Sequence, residues 1–242
     1  ESVPVYLQTK YDVRTTRLYS YAWIVYGFLY IPIQLKTVSS IIQIVLPGLN
    51  LMVAMFIGVT IAVIYTSFSG MKGASAVGRV VCIGIYVLLI CFVFTTLPKF
   101  GGFSGLLGEL PEKYDSMGNM PTQRIVAWIV GGCISTAVMQ AVLQPLLSAK
   151  SPEAARVGSI LGYVIAAPIC FFTAICGMLS KASGADLGDG STAFAYAIKT
   201  FSSPVFAGII FAFATMIIAA TMATMMLATG TIITNVYKTE IN

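Results

Sequence analysis

Long uncharged apolar runs recur along this chain, and six of them reach bilayer-spanning length: roughly 17–45, 50–68, 76–98, 122–148, 153–180 and 203–236. A crossing needs about 20 mostly apolar residues, because a helix rises ~1.5 Å per residue through a hydrocarbon core ~30 Å thick. Between Thr122 and Leu147 the only charge is Arg124, and between Ser203 and Tyr237 there is none. A soluble domain cannot bury that much apolar surface. The pattern predicts an all-α membrane protein, a polytopic bundle of transmembrane helices forming one domain over 1–242.

The composition excludes several other classes. Charged residues make up 10% of the chain, against the ~25% usual in soluble domains. Barrel strands would show ~10-residue dyad alternation, whereas these runs are longer and apolar on every face. A net charge of +5 spread over loops does not suggest nucleic acid as a partner. Cys82, Cys91, Cys133, Cys170 and Cys176 lie inside apolar runs without CxxC spacing, which predicts buried free thiols rather than disulfides or a metal site. Histidine is missing, and with it the commonest acid/base and metal ligand. No catalytic carboxylate pair or nucleotide loop stands out, so neither an enzyme nor a cofactor is expected. A chain opening at Glu1 and ending at Asn242 reads as a piece of a longer protein.

Lysine and arginine near helix ends set the orientation. Lys10, Arg14, Arg17, Lys72, Arg79, Lys150, Arg156 and Lys238 fall on one side, predicted cytoplasmic. Lys99, Lys113, Arg124, Lys181 and Lys199 fall on the other, offset by Glu109, Glu112, Asp115, Asp186 and Asp189. Both termini are then cytoplasmic and 99–121 and 181–202 external, the first with a short interfacial helix and the second with an amphipathic turn. Pro47-Gly48 separates the first two spans, Ser69-Gly70 and Lys72-Gly73 the second and third, and Pro98 with Gly101-Gly102 ends the third. Ser151-Pro152-Glu153 reads as a helix start, with Ser151 as N-cap and Pro152 in the first helical position.

Polar groups inside hydrocarbon need a partner or a cavity. Lys36 is the only charge between Arg17 and Lys72, ~28 Å along a helix from Arg17. Two readings stay open for it: a lysine snorkelling to the outer interface, or a fixed cation lining a polar pathway. Gln34, Gln43, Gln140 and Gln144 are the intramembrane amides, and Gln140 and Gln144 share one helix face. Interhelical hydrogen bonds and solute contacts account for such amides equally well. The last span is rich in small residues and threonine between Ala214 and Thr231, which suits close helix packing.

Four local patterns, in order along the chain, resemble the sodium:solute symporter family. Before the first span stand Pro4-Val5-Tyr6-Leu7-Gln8-Thr9-Lys10-Tyr11, Arg14 and Arg17; after the second, Tyr65-Thr66-Ser67-Phe68-Ser69-Gly70-Met71-Lys72-Gly73. The fourth carries Trp128-Ile129-Val130-Gly131-Gly132, Gln140, Gln144 and Leu147-Ser148-Ala149-Lys150-Ser151, with Ala155-Arg156 beyond. The last ends in Ala228-Thr229-Gly230-Thr231 and Thr234-Asn235-Val236-Tyr237-Lys238. The resemblance implies a fragment of a LeuT-like inverted-repeat core holding core helices three to eight. It also implies a multi-pass protein of the plasma (inner) membrane. Its implied function is secondary transport of a small polar or anionic solute by alternating access, with Na+ or H+ as coupling ion. The lipid bilayer is the remaining partner.

By the same resemblance Gln34 and Gln140 fall on substrate-facing positions, with Lys36 as electrostatic support. The chain departs from the family pattern at the sodium site. Ungapped alignment back from Tyr237 places Met216, Ala219 and Ala220 where sodium-coupled members carry hydroxyls. A hard cation takes oxygen ligands, which these side chains lack, so the site reads as degenerate. A rival expectation is a membrane sensor or receptor module of a signalling protein.

Overall fold

The computed structural model describes residues 2–111, 120–188 and 190–241, with the side chains at 65–77 and 239–241 outside the described set. Among the described residues the secondary structure is entirely helical. It comprises α1 (Val3–Lys10), α2 (Val13–Val45), α3 (Leu51–Thr96), α4 (Gly102–Gly108), α5 (Thr122–Val138), α6 (Gln140–Leu147), α7 (Pro152–Ala182), α8 (Ala193–Phe201) and α9 (Pro204–Ile241). Four helical stretches are long and apolar enough to cross a membrane: Val13–Val45, Gly78–Phe100, Pro152–Ala182 and Pro204–Lys238. The α5–α6 pair makes a fifth if its two bent halves are counted as one span. The chain is an integral-membrane helical bundle.

Local chemistry accounts for the helix ends. Asp12 caps α2 by accepting from the Thr15 amide at 3.0 Å, and hydrogen bonding from Thr15, its hydroxyl first and its amide second, holds the Asp12 carboxyl below its ordinary value. Ser151 caps α7, its hydroxyl oxygen accepting from the Ala154 amide at 3.1 Å with Pro152 next in line, as the sequence predicts. At the far end of α2 the chain turns through Gly48 at φ +93°, a backbone only glycine adopts without strain. The Gln43 amide closes that turn by donating to the Leu49 carbonyl at 3.0 Å.

α9 is the central helix, packed against both α2 and α3. Its seam with α2 is tight because Gly27 has no Cβ: one built there would stand 2.3 Å from Thr229 Oγ1. Two buried clusters result. One joins Leu89 and Phe92 of α3, Ile175 and Leu179 of α7, Ile198 of α8 and Ile210 of α9. The other joins Trp23 with Met225 and Ile232, flanked by Tyr19, Tyr30 and Met139. With lipid as the alternative neighbour, dispersion from close packing holds such helices together, which small residues permit.

Three expectations need correcting. The helical backbone of α3 runs on past Ser69-Gly70 and Lys72-Gly73, where a turn between spans was expected. Glycine costs a helix interior only ~1 kcal/mol, so these positions need not end it. Second, the amphipathic turn expected within 181–202 is a full helix that docks: α8 buries Ala195, Ala197 and Ile198 in the larger cluster. The Lys199 ammonium donates to the Ile44 carbonyl at 2.9 Å, capping the end of α2. Third, only Cys176 of the five thiols is buried; Cys91, Cys133 and Cys170 face outward. The loop expected over 99–121 contains a 3-10 turn (Leu97–Phe100) and α4, while 112–119 lie outside the described residues.

Candidate functional site

The span 122–148, expected as one helix, is two. α5 and α6 meet at Met139 with a bend of 44°. Met139 is extended (φ −73°, ψ 115°), so the i→i−4 ladder stops there. Pro145 has no amide hydrogen to give within α6, which weakens continuity through this segment. Breaking a helix at membrane depth releases carbonyls and amides that need other partners. The Tyr19 hydroxyl of α2 supplies one, donating to the Val138 carbonyl at 2.8 Å.

Gln140, the first residue after the break, is fully buried. Its side-chain oxygen accepts from the Val3 amide at 3.0 Å, and its Nε2 lies 3.4 Å from the side-chain oxygen of Gln144. The Val3 amide is one of the first-turn donors that α1 cannot satisfy internally. Gln140 therefore caps α1 from a different helix. The tip of α1 is fastened again by Asn235 of α9, whose amide donates to the Ser2 hydroxyl.

Gln34 lies elsewhere, half-buried on α2, its Nε2 donating to the Tyr30 hydroxyl at 2.8 Å. Gln34 and Gln140 thus hold separate partners. Lys36 is exposed. Two residues on an ideal helix turn the side chain by ~200°, so Lys36 and Gln34 take opposite faces. Met216 is 39% exposed, Ala219 is buried and Ala220 half-buried. The nearby hydroxyls of Thr221 and Thr224 donate back to Ile217 and Ala220 of their own helix, at 3.0 and 2.9 Å.

Further residues join the site. Trp23, Gly27, Tyr30 and Gln34 recur at spacings of four, three and four, which is one stripe of α2. From Trp23 to Tyr30 that stripe faces α9 and the break: Trp23 packs on Met225 and Ile232, Thr229 packs on Gly27, and Met139 and Tyr30 flank the same cluster. Trp23 Nε1 and Thr229 Oγ1 are buried without a hydrogen-bond partner. The Tyr30 hydroxyl, which accepts from Gln34, keeps its own proton to donate. The spacing marks this stripe; the sequence does not mark Tyr19, whose partner is 119 residues away. This arrangement can hydrogen-bond a small polar group. Comparison with protein-family models, with curated proteins and with solved structures gives no match.

Proposed function

We propose that this chain is the membrane core of a secondary transporter for a small polar or anionic solute, of the sodium:solute symporter type, working by alternating access in the plasma membrane. The observation that carries this reading is the break at Met139 inside a membrane-length apolar segment. Discontinuous helices cluster at solute sites in transporter folds because their freed backbone groups need polar company. The α2 stripe adds Trp23, Tyr30 and Gln34 as hydrogen-bonding groups, and α9 adds Thr229.

Within this reading Gln34 and Tyr30 contact the solute, while Gln140 holds the half-helix to α1. Lys36 is an interface anchor, given its exposure. Met216, Ala219 and Ala220 offer no oxygen ligands, so coupling does not run through sodium at those positions. The same loss of ligands favours one alternative, a transporter-derived sensor that binds its solute without moving it.

The test is uptake by the full-length protein in proteoliposomes, using labelled amino acids, sugars and carboxylates under imposed sodium or proton gradients. The expected result is accumulation of one class, unchanged when choline replaces sodium, lost in Gln34→Ala and kept in Lys36→Met. Saturable binding without accumulation would select the sensor. Uptake strictly dependent on sodium would refute the assignment of Met216, Ala219 and Ala220.

A further inference from the structure

The C-terminal end of α7 borders a cavity of about 420 Å³, within the ~300–1,000 Å³ usual for small-molecule sites. Its floor is one face of α7, where Ala174, Gly177, Met178 and Lys181 follow one another at spacings of three, one and three. Gly177 makes the room: a Cβ built there meets nothing within 4 Å. Leu110, buried just past α4, supplies a second wall. The third is the link from α7 to α8, which turns at Gly188 and Gly190 with φ +59° and +73°, a backbone suited to glycine. Two hydrogen bonds hold that link in place. The Ser180 hydroxyl donates to the Ala193 carbonyl at 2.7 Å, and an Asp186 carboxylate oxygen accepts from the Gly188 amide at 3.3 Å. None of these residues belongs to the α2 stripe or to the break at Met139.

We propose that this cavity binds a free amino acid with an apolar side chain, Lys181 meeting its carboxylate and Asp186 its ammonium. Those two are the charged residues of the lining, one of each sign, and among the described residues no ion pair joins them. Each has hydrogen-bonding capacity to spare. An ammonium carries three donors, and a carboxylate has about four acceptor sites, of which the Gly188 amide takes one. Charge balance then selects the ligand. A lone anion would suit Lys181 but meet Asp186 as a like charge, and a lone cation would meet the reverse. A neutral solute would leave both without a partner. Only a molecule bearing an ammonium and a carboxylate answers both. The apolar surface of Leu110, Met178 and Leu187 takes the side chain. Because Lys181 and Asp186 are exposed, water competes with them, so they confer selectivity while apolar burial confers most of the affinity. The inference needs the cavity alone and does not rest on the transport reading.

Calorimetric titration of the full-length protein in nanodiscs, with leucine as the probe, tests the site. Isopentylamine and isocaproate, which are leucine without its carboxylate and without its ammonium, test the need for both charges. Leucine should bind wild type, and each half-molecule should bind about threefold to fivefold more weakly. Lys181→Gln and Asp186→Asn should each weaken leucine by a similar factor, the new amide in the second still accepting from Gly188. Lys181→Arg should keep the affinity. Gly177→Leu fills the cavity where nothing stands in its way and raises helix propensity, so it should fold and abolish binding. Lys150→Gln, just ahead of the other end of α7, should change nothing. Absence of leucine binding to wild type would overturn the proposal, as would isocaproate binding as tightly as leucine. Leucine binding that survives Gly177→Leu and vanishes in Gln34→Ala would also overturn it, by placing the amino acid on the α2 stripe.

Discussion

Substituting Gly27 by alanine tests the seam between α2 and α9. The new Cβ would meet Thr229 Oγ1 at 2.3 Å, Cγ2 at 3.1 Å and Cβ at 3.3 Å. The first contact is about 1 Å too short. Rotating Thr229 does not relieve it, because its branched Cβ carries two heavy atoms and moves neither itself nor the backbone. Overpacking of this kind costs ~1–3 kcal/mol, and the gain in helix propensity from glycine to alanine returns at most ~1 kcal/mol. Gly27→Ala should therefore destabilise by about 1–2 kcal/mol. Thr229→Ala should be close to neutral, since it removes a buried hydroxyl without a partner. In the double variant the contacts with Oγ1 and Cγ2 are gone, only the 3.3 Å approach to Cβ is left, and the propensity gain remains, so the two changes should couple by about 2 kcal/mol in the favourable direction. Reversible unfolding of the full-length protein in mixed micelles measures this cycle. A coupling below ~0.5 kcal/mol, or a Gly27→Ala protein as stable as wild type, would refute the close approach of α2 and α9 at this point.

Further outcomes follow from other contacts. Gln140→Met keeps the volume but removes the acceptor for the Val3 amide, which should cost ~1–3 kcal/mol in unfolding free energy and speed hydrogen exchange at Val3. Single cysteines at Ser104 and Ser191, both exposed, should react with an impermeant maleimide added outside intact cells, and protection of both would invert the topology. Because hydrogen bonding from Thr15 holds the folded-state Asp12 carboxyl below its ordinary 3.8, its capping contribution is complete above that value. It fades as pH falls through the lower folded-state value. Protection of the Thr15 amide should follow that course in wild type and lose its acid dependence in Asp12→Asn.

What the sequence revealed and what it hid divide along the range of the interactions. The spans at 17–45, 76–98, 153–180 and 203–236 reappear as membrane-length helices within a few residues, because uncharged length is a local property. The Ser151 cap and the opposed faces of Gln34 and Lys36 are equally local, set by one helical turn. The break at Met139 was not legible. Methionine and glutamine are good helix formers, and the group that compensates the break lies 119 residues away, at Tyr19. The docking of α8 was hidden likewise: Ile198 is fully buried against α3, α7 and α9, yet the flanking glycines and lysines around it read as an external loop. Residue types placed amides in the membrane; only the fold decided which partner each amide meets.

The double fastening of α1 also fixes an order of events during synthesis. Val3 reaches its partner across 137 residues and Ser2 across 233. Translation proceeds at ~5–20 residues per second, so Val3 must wait on the order of ten seconds for Gln140, and Ser2 longer for Asn235. During that interval α2 is already inserted, with Tyr19 and the Trp23 stripe lacking the surfaces they will cover. The basic end of the bundle is therefore the last part to close, and it closes only when α9 arrives. A nascent chain stalled before residue 204 would hold α1 through Gln140 alone, without the second fastening from Asn235.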